Sequence, residues 1–495
     1  MSIESVIKKK SFLVLSSILV LSSFIHLWNP IGFPDIFFDE GIYMRRAMHV
    51  LDGQGPQEAF FYDHPFFGQI FLAGALQLIN YPSLLNPTPD IDSLKSLYLA
   101  PRIFVGLLAI LDTFLIYKIA ERKFGTKIAI IAAILFSVMP ITWVLRRILL
   151  DTLLLPFFLS SILFALYVSD SKHRWSLQLA SGITLGLAIF TKIPIFTMIP
   201  LVAYLIYSNR KNSKDVGLWI IPVILIPLIW PAYSIAVDQF DLWQRDVLWQ
   251  SQRSGGGLPL VSGYFLSIDP VLFLFGMAGF AFAAIKKNMF VLLWIAPFLL
   301  FLSVIGYSQY FHWIPVLPAF CIAASLMVVE LAKKIKLEKL QKLIPFLWLM
   351  IIGIFGFVST VTLITTDMSN AQFEAASFVL QNKIDEQNTS ILASPTYSWI
   401  FDDVFHMKNV LLDYSLILFE PVKTDSILLV ADPHYLLDVK RGEQLQIAYD
   451  VTNTTKQFTG SIDNYDTNKY PYYSLNYNRE GELIDIKIGP GRPLQ

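Results

Sequence analysis

Two short polar stretches interrupt the first three quarters of the chain, which are otherwise lipid-soluble. Pro34-Asp-Ile-Phe-Phe-Asp-Glu-Gly-Ile-Tyr-Met-Arg-Arg46 follows the first apolar run, and Phe61-Tyr-Asp-His-Pro-Phe-Phe-Gly68 comes soon after. Together they gather Asp39, Glu40, Asp63 and His64, side chains that take up and release protons. Carboxylates beside a bilayer are costly, so a cluster of them marks a functional site. Apolar neighbours (Ile36, Phe37, Phe38, Tyr43) would raise the pKa of Asp39 and make it a better base, with Arg45, Arg46 or His64 as the cation that keeps it ionised. The plain alternative is a helix N-terminus, where acidic residues favour the macrodipole. Asp63 would cap a helix starting at Pro65, or with His64 offer two ligands to a divalent metal, which is not yet a site.

A second set of charges recurs at the ends of later apolar runs: Arg102, Arg146, Arg147, Asp151 and Lys192. Cations there ordinarily snorkel to headgroups. Several converging on one carboxylate-bearing face could instead hold a phosphate. Gly182-x-x-x-Gly186 reads as a close-packing face. Tyr307, Tyr310, His312 and Trp313 open another apolar run, as an aromatic belt or the wall of a pocket for a sugar or lipid phosphate. The 237–267 loop, with Trp243, Arg245, Trp249, Arg253 and Gly255–Gly257, has the same two readings, and its glycines suggest a mobile cover.

The elements that position these groups follow from composition. Of 495 residues, 55% are hydrophobic and 15% charged, a polytopic membrane profile with mean hydropathy +0.55. Net charge is zero, which gives no basic field for nucleic acid. The single cysteine, Cys321, excludes an internal disulfide. Lys8–Lys10 before an apolar run read as an uncleaved first span with a cytoplasmic N-terminus. Spans are expected at 11–29, 97–120, 128–146, 152–168, 176–191, 193–208, 216–236, 268–285, 289–305, 310–332 and 342–365, eleven in all. Basic loops at 121–127, 172–174, 209–214, 286–287 and 333–336 alternate with loops poor in Lys and Arg, and the positive-inside rule puts the latter outside. That alternation holds if 66–80 is an interfacial or re-entrant helix rather than a span. The span centres are almost uncharged. From 366 onward, Ser369 and Gln372 suggest a capped helix start. Runs at 391–393, 410–412, 427–431, 445–449 and 483–488 suggest strands of a small α/β or β-rich domain outside the membrane, of about 130 residues. Sequons at Asn388 and Asn453 fit that side. The domains expected are 1–365 in the membrane and 366–495 outside it.

The order of these elements is familiar. Asp39-Glu40 after the first span, Tyr43, Asp63-His64-Pro65, Arg102 opening a span, Arg146-Arg147 before Asp151, Gly-x-x-x-Gly-Leu-Ala-x-x-Thr-Lys192 and the 310–318 stretch follow in sequence. The chain resembles the protein O-mannosyltransferase and aminoarabinose-transferase superfamily (glycosyltransferase family 39-like, GT-C fold) over about 11–365. The resemblance implies a transferase that uses a polyprenyl-phosphate-linked sugar as donor, with a protein, lipid or glycan hydroxyl as acceptor. It implies catalytic Asp39 and Glu40, with Asp39 the base. Arg102, Arg147, Lys192 and His64 would hold the donor phosphate, supported by Tyr43, Asp63, Asp151, Tyr310 and His312. No cofactor is required by that reading; a divalent cation, if bound, would sit at Asp63 and His64. Phe66 departs from the second proline of the mannosyltransferase motif. No insertion of the kind seen in the eukaryotic enzymes occurs in the 237–267 loop. The location implied is the cell membrane, or the endoplasmic reticulum membrane in a eukaryote, with the site and C-terminal domain extracytoplasmic. The rival readings are a transporter of a lipid-linked or sugar substrate, whose polar groups would lie at the bilayer midplane, and a membrane-anchored binding protein acting through its C-terminal domain. The oligosaccharyltransferase branch of the same fold is a nearer rival, ranked low because no Trp-Trp-Asp-type motif occurs after 366.

Overall fold

The computed structural model describes residues 3–58, 61–170, 172–382, 387–460 and 483–494; the side chains of Lys8–Lys10 lie outside the described set. The chain opens with α1 (Ile3–Leu27), α2 (Phe38–Leu51) and α3 (Phe67–Gln77), followed by α4 (Ile91–Phe124), α5 (Thr126–Val138), α6 (Leu150–Tyr167) and α7 (Arg174–Thr191). Each expected span falls on a helix or a pair of helices. Among the described residues, five helices are long and apolar enough to cross a membrane, and a sixth if α5 and the 3₁₀ stretch Pro140–Arg146 are one span bent by 68°. Six further apolar helices, α3 among them, have 10–17 residues. At 1.5 Å per residue, the 11 residues of α3 extend about half the hydrocarbon thickness. The bend after α5 has a local cause. Pro140 disfavours helical geometry at Met139, which is extended (φ −70°, ψ 140°). The turn carries Trp143, Arg146 and Arg147 beneath the first loop. Gly182 and Gly186 are a packing face as read: an added Cβ would meet the Trp219 and Pro222 carbonyl oxygens at 2.5 and 2.6 Å. One exception to the uncharged span interiors is Asp112 in α4, buried with no hydrogen-bond partner among the described residues.

The C-terminal part is a five-stranded mixed sheet with helices. Its strands are β1 (Thr389–Leu392), β2 (Val410–Leu411), β3 (Ser426–Ala431), β4 (Asn453–Thr459) and β5 (Leu483–Pro490), in the order β2-β1-β3-β5-β4. The first three are parallel, and β5 is antiparallel to both β3 and β4. Residues 445–449, expected as a strand, instead lie in the helix Glu443–Asp450, where Leu445 and Ala448 bury one face at a spacing of three. Both faces of β3 are covered. Leu428 and Val430 join the core that runs through the helical bundle, while Ile427, Leu429 and Ala431 join a smaller one beneath Tyr414, Tyr435 and Leu445. The sheet therefore shares its core with the membrane part.

Ser369 and Gln372 also depart from expectation. Helix Asn370–Gln381 begins there, but neither side chain caps it. The Ser369 hydroxyl donates to Ile31 O at 2.7 Å, and Gln372 pairs with the Ile36 backbone in both directions, at 2.7 and 2.8 Å. Met368 N donates to Gly32 O, and Asn29 Nδ2 to Ile364 O and Thr366 O. These residues stitch the loop after α1 to the end of the last long helix. A parallel link runs through Tyr98, whose hydroxyl donates to Thr396 O at 2.9 Å and accepts from Trp399 Nε1 at 2.8 Å. Tyr98→Phe should leave both groups buried and unsatisfied, lowering stability by about 1–3 kcal/mol per group in a thermal or denaturant melt.

Candidate active site

The loop between α1 and α2 has little regular structure, so its carbonyls need partners from elsewhere. Three arginines supply them. Arg146 donates to Ile25, Trp28 and Asn29 O at 2.5–2.7 Å, capping the C-terminal end of α1 where a cation is favoured. Arg102 donates to Pro30, Pro34 and Asp35 O, and Arg147 to Asp35 O. The same two guanidiniums grip the acidic groups. Arg102 forms a two-pronged pair with Glu40 at 2.7 and 3.0 Å; Arg147 reaches Glu40 at 3.0 Å and Asp35 at 2.6 Å. Glu40 also accepts from Phe37 N and Ile148 N. None of these four side chains has exposed surface. Burial pushes the Glu40 carboxyl up, but Arg102 and Arg147 outweigh it and leave it below the usual carboxylate value.

This corrects three assignments. Arg102 and Arg147, expected to hold a phosphate, direct their terminal amino groups to Glu40, Asp35 and loop carbonyls instead. Glu40 is saturated with donors and closed to solvent, so it positions the loop rather than exchanging protons. Asp63 does not cap α3, which starts at Phe67 without a side-chain cap. It pairs with Arg46 at 2.7 Å, and Arg45 and Arg46 together grip Glu58 at 2.6 and 3.0 Å.

Asp39 differs from all of these. It is half-buried, and among the described residues its carboxylate enters no hydrogen bond or ion pair. Burial raises its pKa; Lys192, Arg253 and His434 pull it back, and Asp63 adds to the rise. These residues, from α2, the end of α7, the 237–267 loop and the C-terminal part, thus converge on one carboxylate. Asp151 in the first turn of α6 and Lys192 at the C-cap of α7 are brought together by the antiparallel pair, 2.5 Å apart. The Lys192 ammonium lies 5.0 Å from the centre of the Phe311 ring. Tyr43 faces the same cluster and is buried. His312 Nδ1 accepts from Gln309 N at 2.9 Å, which fixes its ring. His64 was expected as a phosphate-binding cation. Burial pushes it down to about 3, against the pull of Asp63 at 3.9 Å, so its imidazole is neutral at pH 7. Among the described residues no group of three or more His, Cys, Asp or Glu side chains could hold a metal.

A cavity of about 550 Å³ adjoins the cluster, lined by Trp249, Arg253, Tyr307, Gln309, Tyr310 and Arg441 among others. Arg253 is stacked 3.5 Å from the Tyr307 ring centre and 4.9 Å from that of Trp249. Of the three glycines expected to make this loop a mobile cover, Gly256 serves a close approach. Gly256 N donates to Gly306 O, and a Cβ on Gly256 would sit 2.5 Å from the Ser308 carbonyl oxygen. Sequence reasoning missed His434 and Arg441, which no local pattern marks, and Asp35, whose partner is over a hundred residues away.

Similarity to known proteins follows this geometry. A sequence model of the dolichyl-phosphate-mannose-protein mannosyltransferase family matches residues 95–234, the segment bearing Arg102, Arg147, Asp151 and Lys192. No curated protein matches the chain by sequence. Among solved structures, ArnT from Cupriavidus metallidurans in the apo state aligns with TM-score 0.56 at 13% identity, over 97% of this chain and 98% of that one. The same protein bound to undecaprenyl phosphate gives 0.54 at 14%, over 96% and 97%. An Archaeoglobus fulgidus oligosaccharyltransferase tethered to an acceptor peptide gives 0.59 at 12%, over 93% and 74%. The expected resemblance therefore holds at the level of architecture: the chain has the GT-C fold.

The two adjacent carboxylates should respond oppositely to neutralisation. Glu40→Gln strips two buried cations of their counter-charge and should cost about 3–5 kcal/mol. Asp39→Asn should leave the melting temperature unchanged or raise it. A carboxyl whose pKa is raised by folding loses stability as pH climbs above its unfolded value. The advantage of Asp39→Asn should therefore be greater at pH 7 than at pH 4, measured by paired thermal melts.

Proposed function

We propose that this chain, built on the GT-C fold, is a membrane glycosyltransferase that moves a sugar from a polyprenyl-phosphate carrier to an acceptor hydroxyl, with inversion and with Asp39 as base. The observation that carries this reading is the unpartnered carboxylate of Asp39, set among Lys192, Arg253 and His434 beside a cavity. The reaction asks for such a group. The acceptor oxygen attacks the anomeric carbon, its proton passes to Asp39, and the bond from that carbon to the phosphate oxygen breaks. Polyprenyl phosphate is a competent leaving group without an acid, so one base suffices. Lys192 and Arg253 are the cations placed to meet the charge that develops on the departing phosphate. Tyr307, Tyr310 and Trp249 offer ring faces to a sugar or isoprenoid. The ArnT complex with undecaprenyl phosphate supports a carrier of this class.

In this reading 1–365 form the membrane domain and 366–495 an outer domain, with the N-terminus cytoplasmic and the site extracytoplasmic. The alternation of basic loops supports that orientation. The acceptor is a protein, lipid or glycan hydroxyl, and the reaction requires no cofactor, with or without a divalent cation bound.

Purified protein incubated with a panel of polyprenyl-phosphate sugars should release polyprenyl phosphate from one of them. Asp39→Asn should lower that rate by about 10²–10⁴-fold while still binding the carrier; full activity in this variant would remove Asp39 from the mechanism. The acid limb of the pH–rate profile should lie above the ordinary carboxylate value, because the raised pKa leaves Asp39 protonated and inactive to a higher pH. Arg253→Ala should raise KM for the donor about tenfold or more, and a second substitution, Gly306→Val, should mimic it by lifting the loop that seats Arg253.

A further inference from the structure

His434 stands at the start of the short helix Pro433–Asp438, more than three hundred and ninety residues from Asp39 along the chain, yet the two lie within electrostatic reach of each other. Its ring stacks on that of Phe38, the residue before Asp39, with centres 4.0 Å apart and planes 29° apart. Its Nε2 meets Asp438 Oδ2 at 3.2 Å. Asp438 is itself held by the Tyr414 hydroxyl, which donates at 2.8 Å, and by Arg441 at 3.0 Å. Phe38 and Tyr414 also meet edge to face, 6.3 Å between centres. One carboxylate of the sheet domain therefore anchors an imidazole beside Asp39 and, on its other oxygen, an arginine that lines the cavity.

We infer that the C-terminal domain completes the site: His434, anchored by Asp438 and stacked on Phe38, is a positioning residue that supplies positive charge to keep Asp39 ionised. The inference rests on the reading of Asp39 as base. It accounts for a carboxylate that lacks any direct counter-ion while sitting half out of water. Charged and titratable groups face His434 from each element around it. Asp438 lies on its own helix and Asp432 at that helix's N-cap. Asp413 precedes the Tyr414 turn and Asp39 comes from α2. Arg441 follows on the far side of Asp438. Four carboxylates against one nearby arginine favour the imidazolium. Burial opposes its charge, but Asp438 and its neighbours raise its pKa above the ordinary histidine value. Direct attraction from an imidazolium lowers the pKa of a nearby carboxylate. Loss of His434 should then free Asp39 to take up a proton at a higher pH.

The test needs no substrate. Dicyclohexylcarbodiimide adds to protonated carboxyl groups in apolar surroundings, and peptide mass spectrometry reports its attachment to Asp39. Full-length wild-type, His434→Gln and His434→Arg proteins would be labelled across pH 4–9. The midpoint at which Asp39 becomes protected should rise by about one pH unit in the Gln variant and return toward wild type in the Arg variant, whose guanidinium keeps both charge and stacking. Asp438→Asn, which leaves the imidazole but removes its anchor, should also raise the midpoint. This variant gives the answer if His434→Gln folds poorly. An unmoved midpoint in the Gln variant, or no recovery in the Arg variant, would overturn the inference and leave Asp39 as base. An Asp39→Asn protein with full transferase activity would instead overturn the base assignment, whatever the labelling shows.

Discussion

Asp35 and Glu40 are carboxylates without exposed surface, and they are tolerable because Arg102 and Arg147 are buried against them. Each of these charges alone would cost several kcal/mol to dehydrate. As a neutral foursome with both carboxylates hydrogen-bonded to the two guanidiniums, they can stand inside the protein, and they can stand there in few other arrangements. The foursome gathers α4, the bend after α5 and the loop after α1 around one point. It also fixes which way Asp39 looks. Successive residues on a helix point about 100° apart, so Glu40 held inward by five hydrogen bonds turns Asp39 away from the cluster toward Lys192 and the cavity.

The two neighbours in sequence thus have opposite surroundings. Glu40 has its charge fully answered and is quiet. Asp39 has its charge answered at a distance, by Lys192, Arg253 and His434, and keeps its lone pairs unoccupied. A fully paired carboxylate would be a poor base, and one without cations nearby would simply go neutral. Asp39 sits between these limits.

Much of the architecture was legible from composition and from the spacing of apolar runs, because lipid imposes a length and a hydrophobicity on any helix that crosses it. The convergence of Asp39, Asp63, Asp151 and Lys192 followed from loop sidedness. What sequence could not give was the assignment of cations. Arg102, Arg147 and Lys192 look alike in one dimension, each at the end of an apolar run. In space two of them are consumed by Asp35, Glu40 and loop carbonyls, while Lys192 keeps one carboxylate partner and faces the site. Gln372 likewise has the spacing of a capping residue, but the Ile36 backbone competes for it and wins. His434 and Arg441 were hidden because the sheet that carries them folds back on the membrane part through contacts separated by hundreds of residues, for which no short motif exists. The misread strand at 445–449 is an ambiguity of short apolar segments, which fit a period of two or of three to four about equally well.

The pairing of Ile36 with Gln372, 336 positions later, makes the first loop depend on the far end of the helical part. In residues 29–36, Ile31 O, Gly32 O and both backbone groups of Ile36 are met by residues beyond the last long helix, whereas the carbonyls of Asn29, Pro30, Pro34 and Asp35 are met by arginines of the first third. A polypeptide cut before residue 368 would therefore keep the long apolar helices and leave those backbone groups without the partners that meet them here.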